Sequence, residues 1–457
     1  MTVAHRPLTL LAAAVALAFP AMGSAQTTNE QLLQELRDLK ARVGELEKKL
    51  KDTEAKLPPA GTGWGMTPDQ AAELNRLTVK TDALEENSET WGFKDLKISG
   101  YIEPTYIWNK LQNRSGFQFL NQQSDGYFYD TSYMGAAVLD ITKEMEGGTI
   151  WKLTLAPNRG VGALIDGNSI IQEASVSVPL GSLQTRLIAG QIPDWSGYEY
   201  QQPTLNPFTT HNLLYDFTLP AGYTGVGLMH TVGKWAIKGM LANVNTPIKA
   251  PGEKSPVLVY RVDYSKGEFD GFGFAGLHGK SPNYNTGEGS TAHLFEVDGY
   301  YIRGDWTLQG QLSFGRQKDA AITPDADGNW RDASWWGVSG LAGYAFTPRL
   351  QGLVRADYLN NKKNGGGLYT YNGYYLPDEG VYNDSRNGIG PAPEGNLDRG
   401  ANRYALTFGL KYAVNPTTTF KVEYRLDGAD RAVFEDVKNG EFKKRNHLLG
   451  TSLVVAF

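Results

Sequence analysis

The sequence predicts an all-β transmembrane barrel of about 16 antiparallel strands, preceded by an α-helical coiled coil. Three observations predict it. The first residues have the layout of an export signal, and residues 26–57 repeat apolar side chains at heptad spacing. From Leu96 to Phe457, segments of alternating apolar and polar residues are joined by connections that are short at one end and long at the other.

Composition fits this class. Among 457 residues there are 53 Gly, 24 Tyr and 10 Trp, with only 20% charged, a mixture suited to strands, tight turns and aromatic girdles. A net charge of −5 gives no basic field for nucleic acid. With no cysteine, disulfides, thiolate metal sites and thiol nucleophiles are excluded.

Residues 1–25 read as a signal peptide. His5 and Arg6 precede an apolar run from Leu8 to Phe19, and Gly23, Ser24 and Ala25 supply small residues before a cleavage point after Ala25. The run of about 12 residues is too short for a membrane-spanning helix, which needs about 20. A mature chain that crosses a membrane must therefore do so as a closed barrel.

Residues 26–57 form the predicted coiled coil. Leu32, Leu36, Leu39, Val43, Leu46, Leu50, Thr53 and Leu57 step alternately by four and three, and charged residues such as Glu35 and Lys49 flank the seam. Within it Arg42, Val43, Leu46 and Glu47 resemble the trimerisation motif of short coiled coils, although Gly44 weakens the helix by about 1 kcal/mol. Pro58 and Pro59 end the helix, and residues 58–66 read as a linker. A second stalk helix is predicted over 67–90, with Thr67 as N-cap, Pro68 at the first helical position and Gln70 completing a capping box.

Residues 91–457 form the predicted barrel. Leu96, Ile98, Gly100, Ile102, Tyr106 and Trp108 share one face while Lys97, Ser99, Tyr101, Glu103 and Thr105 share the other, as in a strand with lipid outside and water inside. Further strands are predicted at 129–145, 149–157, 169–180, 183–193, 223–232, 234–243, 256–264, 269–278, 291–302, 305–315, 334–346, 349–359, 402–413, 417–427 and 446–457. Short turns fall at 147–148, 181–182, 233, 266–267, 304, 348 and 415–416. Long loops fall at 109–128, 158–168, 194–222, 244–255, 279–288, 316–333, 360–401 and 428–445. Trp151, Trp235, Trp306, Tyr412 and Tyr424 are placed near strand ends as girdle candidates. The final alternation Leu449, Thr451, Leu453, Val455, Phe457 resembles the C-terminal signal read by the β-barrel assembly machinery, with Phe457 as its terminal aromatic and Gly450 farther from the end than usual.

The whole arrangement resembles trimeric outer-membrane porins that carry an N-terminal periplasmic coiled coil, the DcaP-like porins. A shorter stretch, from Ala189 through Gly197, Tyr198 and Glu199 to Asn206, Pro207, Phe208, Pro220 and Val226, resembles the centre of the β-barrel porin-2 group. The resemblance implies a homotrimer in the cell outer membrane, with the stalk in the periplasm close to peptidoglycan, acting as a passive channel for small hydrophilic solutes. It implies no cofactor, no metal and no enzymatic activity. In trimeric porins the third extracellular loop narrows the lumen. Here that loop is 194–222, and Asp194, Trp195, Tyr198, Glu199, Tyr200, His211, Tyr215 and Asp216 are the candidate constriction, with carboxylates and aromatics facing a basic wall. Lys97, Glu103, Lys152, Arg186, Arg261, Glu296, Asp298, Arg355, Lys411 and Arg425 fall on inward positions as candidate pore wall.

Two rival functions come from other classes. A barrel could merely anchor the stalk as a structural tether. A phospholipase-like enzyme would need Ser and His together at one girdle, and Ser290 with His293 is the one pair that suggests it; no HExxH, nucleophile elbow or Walker loop occurs.

Overall fold

The computed structural model describes residues 73, 76–78, 80, 94–120, 134–157, 170–245, 255–267, 269–283, 285–286, 288–369, 374–376, 380–382, 387–393 and 395–457. The chain divides into two units, Met1–Lys94 and Asp95–Phe457. In the first, Glu73, Arg76, Leu77, Thr78 and Lys80 are helical, and Arg76 pairs with Glu73 one turn away at 2.6 Å. These positions lie inside the predicted second stalk helix. The signal peptide, the coiled coil with Arg42, Val43, Leu46 and Glu47, and the linker lie outside the described residues.

In the second unit, alternating sequence becomes a closed ring of sixteen antiparallel strands. They are β1 (Leu96–Ile102, resuming at Thr105–Asn109), β2 (Arg114–Gln118, resuming at Ala137–Glu144), β3 (Ile150–Leu155), β4 (Ile171–Ser182), β5 (Thr185–Pro193), β6 (Gly222–Val232), β7 (Trp235–Asn245) and β8 (Val257–Ser265). The ring continues with β9 (Asp270–Pro282), β10 (Gly289–Arg303), β11 (Trp306–Gln317), β12 (Ala333–Ala345), β13 (Leu350–Asn360), β14 (Arg403–Asn415), β15 (Thr418–Ala429) and β16 (Arg445–Ala456). Each pairs with its neighbour in sequence, and β16 returns to β1. Closure removes every free edge, which is what a sheet surrounded by lipid requires.

The seam is completed by the last residue. Phe457 N donates to Gly100 O at 3.0 Å and Gly100 N donates to Phe457 O at 3.2 Å. A Cβ at position 100 would lie 3.0 Å from the Phe457 ring, so Gly100 provides the space in which that ring sits.

The structure corrects the second strand. In place of a loop over 109–128 and a strand over 129–145, β1 turns tightly through 110–113 into the first half of β2. Thr105 pairs with Gln118 and Ile102 with Ala137, so the strand is interrupted between Gln118 and Ala137. Bonds from Leu120 N to Gly135 O at 2.7 Å and from Glu103 N to Ala136 O at 2.8 Å close the base of this interruption. Arg114, Gly116 and Gln118 carry no apolar alternation, which is why the first half of β2 reads as loop. Pro104, which has no N–H, marks the matching break in β1.

Side-chain parity sorts the two faces. Ile98, Leu228, Leu241, Leu258, Leu312, Val354, Phe408 and Leu453 point outward and are exposed. All seventeen charged positions assigned above and at Lys238, Asp140, Glu173, Asp263, Asp357, Lys421 and Glu423 alternate with them and point into the lumen. At the short-turn end Trp235 packs on Tyr264 at 4.8 Å and Trp306 on Tyr344 at 4.9 Å, forming a girdle. Tyr424 is a correction, since it lies mid-strand in β15 and bonds His447 Nδ1 at 2.6 Å. Among the described residues no helix is long and apolar enough to cross a membrane.

Candidate functional site

Residues 194–221 leave β5 at the long-loop end and turn into the lumen. Asp194 starts the turn by accepting from Ser196 N and Oγ, each at 3.0 Å, and from the Tyr223 hydroxyl. The chain is then fixed to β8, where Arg261 Nη1 donates to Trp195 O at 2.8 Å. Arg261 is held by Asp298 at 2.8 and 2.9 Å and by Asp263 at 2.7 Å, and Lys238 Nζ lies 5.1 Å above the Trp195 ring.

From there the loop crosses to the opposite wall. Lys421 on β15 donates to Pro203 O at 2.6 Å, and Glu423 accepts from Thr209 N at 2.7 Å and Thr210 Oγ1 at 2.5 Å. On the way Tyr198 shares a hydrogen bond with Ser339 at 2.7 Å, and Ser339 donates to Asp357 at 2.7 Å. Arg355 on β13 gathers the strap: it donates to Glu199 at 2.8 Å, Thr210 O at 2.7 Å and His211 O at 2.8 Å. Arg425 on β15, beyond Thr407 of β14, donates to His211 O at 2.6 Å. Glu199 and the carbonyls of Trp195, Pro203, Thr210 and His211 thus meet wall cations, and the wall carboxylate Glu423 meets loop donors, pairings that lower the cost of burying these groups.

The loop then forms its only regular element, α1 (Leu213–Thr218), capped by Asn212, whose Oδ1 accepts from Leu214 N at 2.9 Å and Tyr215 N at 2.8 Å. Leu213, Leu214 and Phe217 are fully buried against Val259, Leu277, Leu294, Trp335 and Leu359 of the wall and against Ile322, Leu368, Tyr369 and Ile389 of the neighbouring long loops. A hydrophobic core therefore fills the β8–β13 side of the long-loop end. His211 stacks on Tyr215 at 4.0 Å and donates from Nε2 to Tyr200 O at 2.8 Å. Burial pushes this loop imidazole down to about 3, so the ring is neutral.

Of the predicted residues, the loop group joins Arg261, Asp298, Arg355 and Arg425 in direct contact, whereas Lys97, Lys152 and Arg186 lie elsewhere on the wall. Tyr198, Glu199, His211, Asp216, Glu103, Glu296, Asp298, Arg186, Arg355 and Arg425 are buried. Asp194, Trp195, Tyr215, Lys152, Arg261 and Lys411 keep partial exposure, whereas Tyr200 and Lys97 are exposed. The sequence places Arg355 and Arg425 on the pore wall; in the structure both anchor the loop. Sequence reasoning also misses the apolar core. The signal was present, because inward positions 257, 259, 277, 292, 294 and 359 are all apolar near the long-loop end, where a water-filled lumen would carry polar residues. On the other side, β2 to β4 present Asp140, Thr142, Lys152, Thr154, Ser175 and Ser177 to the interior, with Lys152 bonded to Glu173 at 2.6 Å. Ser290 and His293 lie three apart on β10 and so on opposite faces; Ser290 Oγ accepts from Asn283 and Gln317, while His293 points outward.

A family model described as "Protein of unknown function (DUF3138)" matches residues 65–251 and 273–457, which includes the described helical residues of the first unit and nearly the whole barrel. The chain belongs to this family. None of the curated proteins compared matches it. Among solved structures, Salmonella typhi OmpF in complex with daunomycin is similar at 12% identity and a TM-score of 0.49, covering 79% of this chain and 97% of that one. The anion-selective porin from Comamonas acidovorans is similar at 11% identity and a TM-score of 0.48, over 79% and 99% of the two chains. Pseudomonas aeruginosa OprD is similar at 11% identity and a TM-score of 0.40, over 80% and 95%.

Proposed function

We propose that this protein is a porin of the Gram-negative outer membrane, a passive diffusion channel for small hydrophilic solutes that is narrowed by residues 194–221. The observation that carries the reading is the loop strapped from the β8 wall to the β15 wall inside a closed barrel whose outer face is apolar and whose inner face is charged. A plain anchor needs neither a polar wall over β2 to β4 nor an internal strap built from ion pairs. Irregular backbone at membrane depth is tolerated where it is packed in protein or lines a water-filled space. The solute path in this reading runs between the strap and the hydroxyl-bearing wall of β2 to β4, with Lys152 and Asp140 along it. In this reading the stalk lies in the periplasm and joins three copies, and Phe457 is the terminal aromatic of the signal for the assembly machinery.

Single-channel recording from the purified protein in a planar bilayer tests this. Open steps arriving in groups of three support a trimeric pore. One observation favours a second reading, that of an anchor: the apolar core beneath α1 already fills part of the mouth. An inserted but silent barrel would move the function there.

A further inference from the structure

The outer face carries a polar row that the channel reading does not use. His278 on β9 stands directly opposite His293 on β10, and the row continues to Arg316 on β11 and Ser334 on β12. One step toward the barrel middle, the matching outward row is Gly276, Phe295, Phe314 and Trp336. The histidines therefore stand where the apolar band gives way to the long-loop end, His293 exposed and His278 half-buried.

We propose that His278 and His293 form a chelating site for a divalent transition-metal ion such as zinc. Their Nδ1 atoms face each other at 3.1 Å. Two imidazole nitrogens bound to one tetrahedral zinc, each about 2.0–2.1 Å from the metal, stand about 3.3 Å apart, so the cross-strand pair already has the required bite. The neighbouring hydroxyl supports the needed tautomer. Tyr260 Oη lies 3.3 Å from His278 Nε2; in the tautomer with the proton on Nε2 the hydroxyl accepts it and Nδ1 keeps a free lone pair, the usual way an outer partner orients a metal-binding histidine. Gly276 makes this contact available, because a Cβ there would lie 2.5 Å from the Tyr260 ring.

Among the described residues no three His, Cys, Asp or Glu side chains converge, so water completes the shell. Imidazole nitrogens with water select zinc, copper or nickel over calcium or magnesium. Nearby cations do not close the site: Arg316 is turned onto Asp332 at 2.5 Å, and Lys280 is exposed on the rim. A bound ion would tie β9 to β10 at the membrane boundary.

The test is titration calorimetry of zinc chloride into the full chain, untagged and in detergent, near neutral pH. One saturable equivalent per chain is expected. His278→Gln and His293→Gln, both at the rim, should each abolish it while the barrel keeps its heat-modifiable migration. Tyr260→Phe should weaken binding about tenfold through loss of the orienting partner. Binding should also fall at about pH 5.5, where protons compete for the imidazoles. Absence of saturable binding, or binding unchanged in the double His variant, overturns the site. Neither result bears on conductance, so the channel reading stands or falls separately.

Discussion

Arg355→Met is the most informative perturbation of the strap. Arg355 has no solvent exposure and holds Glu199, Thr210 and His211 of the loop, with Asp357 beside it at 3.5 Å. Methionine fills much of the same volume but strands the Glu199 and Asp357 carboxylates among buried groups. Breaking a buried pair from one side costs about 3–5 kcal/mol. The barrel need not bear this cost, since Arg355 keeps its ladder positions opposite Leu341 and Thr407 through backbone bonds. The loop can instead leave the wall and rehydrate Glu199. At 1.4 kcal/mol per tenfold, even the lower figure shifts the docked-to-undocked ratio by about 100-fold. The expected result is larger or noisier single-channel conductance together with chymotrypsin cleavage near Tyr200, while barrel strand content is unchanged. Adding Glu199→Gln removes one stranded charge and should restore part of the protection, a coupling of about 0.5–3 kcal/mol in a double-mutant cycle. Wild-type conductance and a protected loop in Arg355→Met would refute the view that this ion pair holds the strap.

Other positions test other parts of the structure. Gly100→Val is expected to block seam closure, because its side chain meets the Phe457 ring and the backbone of β2; loss of the compact band in heat-modifiability gels would show it. Asn212→Ala removes the acceptor for Leu214 N and Tyr215 N and should cost about 1 kcal/mol of loop order, seen as faster amide exchange over 213–218 with the barrel unaffected. Deleting residues 26–90 should leave a folded, conducting barrel whose trimers dissociate more readily in mild detergent; undiminished trimers would place the oligomer contacts wholly on the barrel.

Much of the barrel was determined by sequence alone, for a local reason. A strand has a side-chain period of two, so Leu96 to Trp108 or Leu449 to Phe457 already sort their residues into lipid and lumen faces before any pairing is known. Turn residues with positive φ, such as Gly233 and Gly304, likewise mark the short end. Tertiary structure decided whatever depends on residues far apart in the chain. Glu199 finds Arg355 across 156 positions and Thr209 finds Glu423 across 214, and no local pattern reports that these charges seal a contact instead of lining water. The interruption of β2 is of the same kind. Its first half is held as a strand by hydrogen bonds to β1, not by its own side chains, and a backbone ladder leaves no trace in amino-acid type.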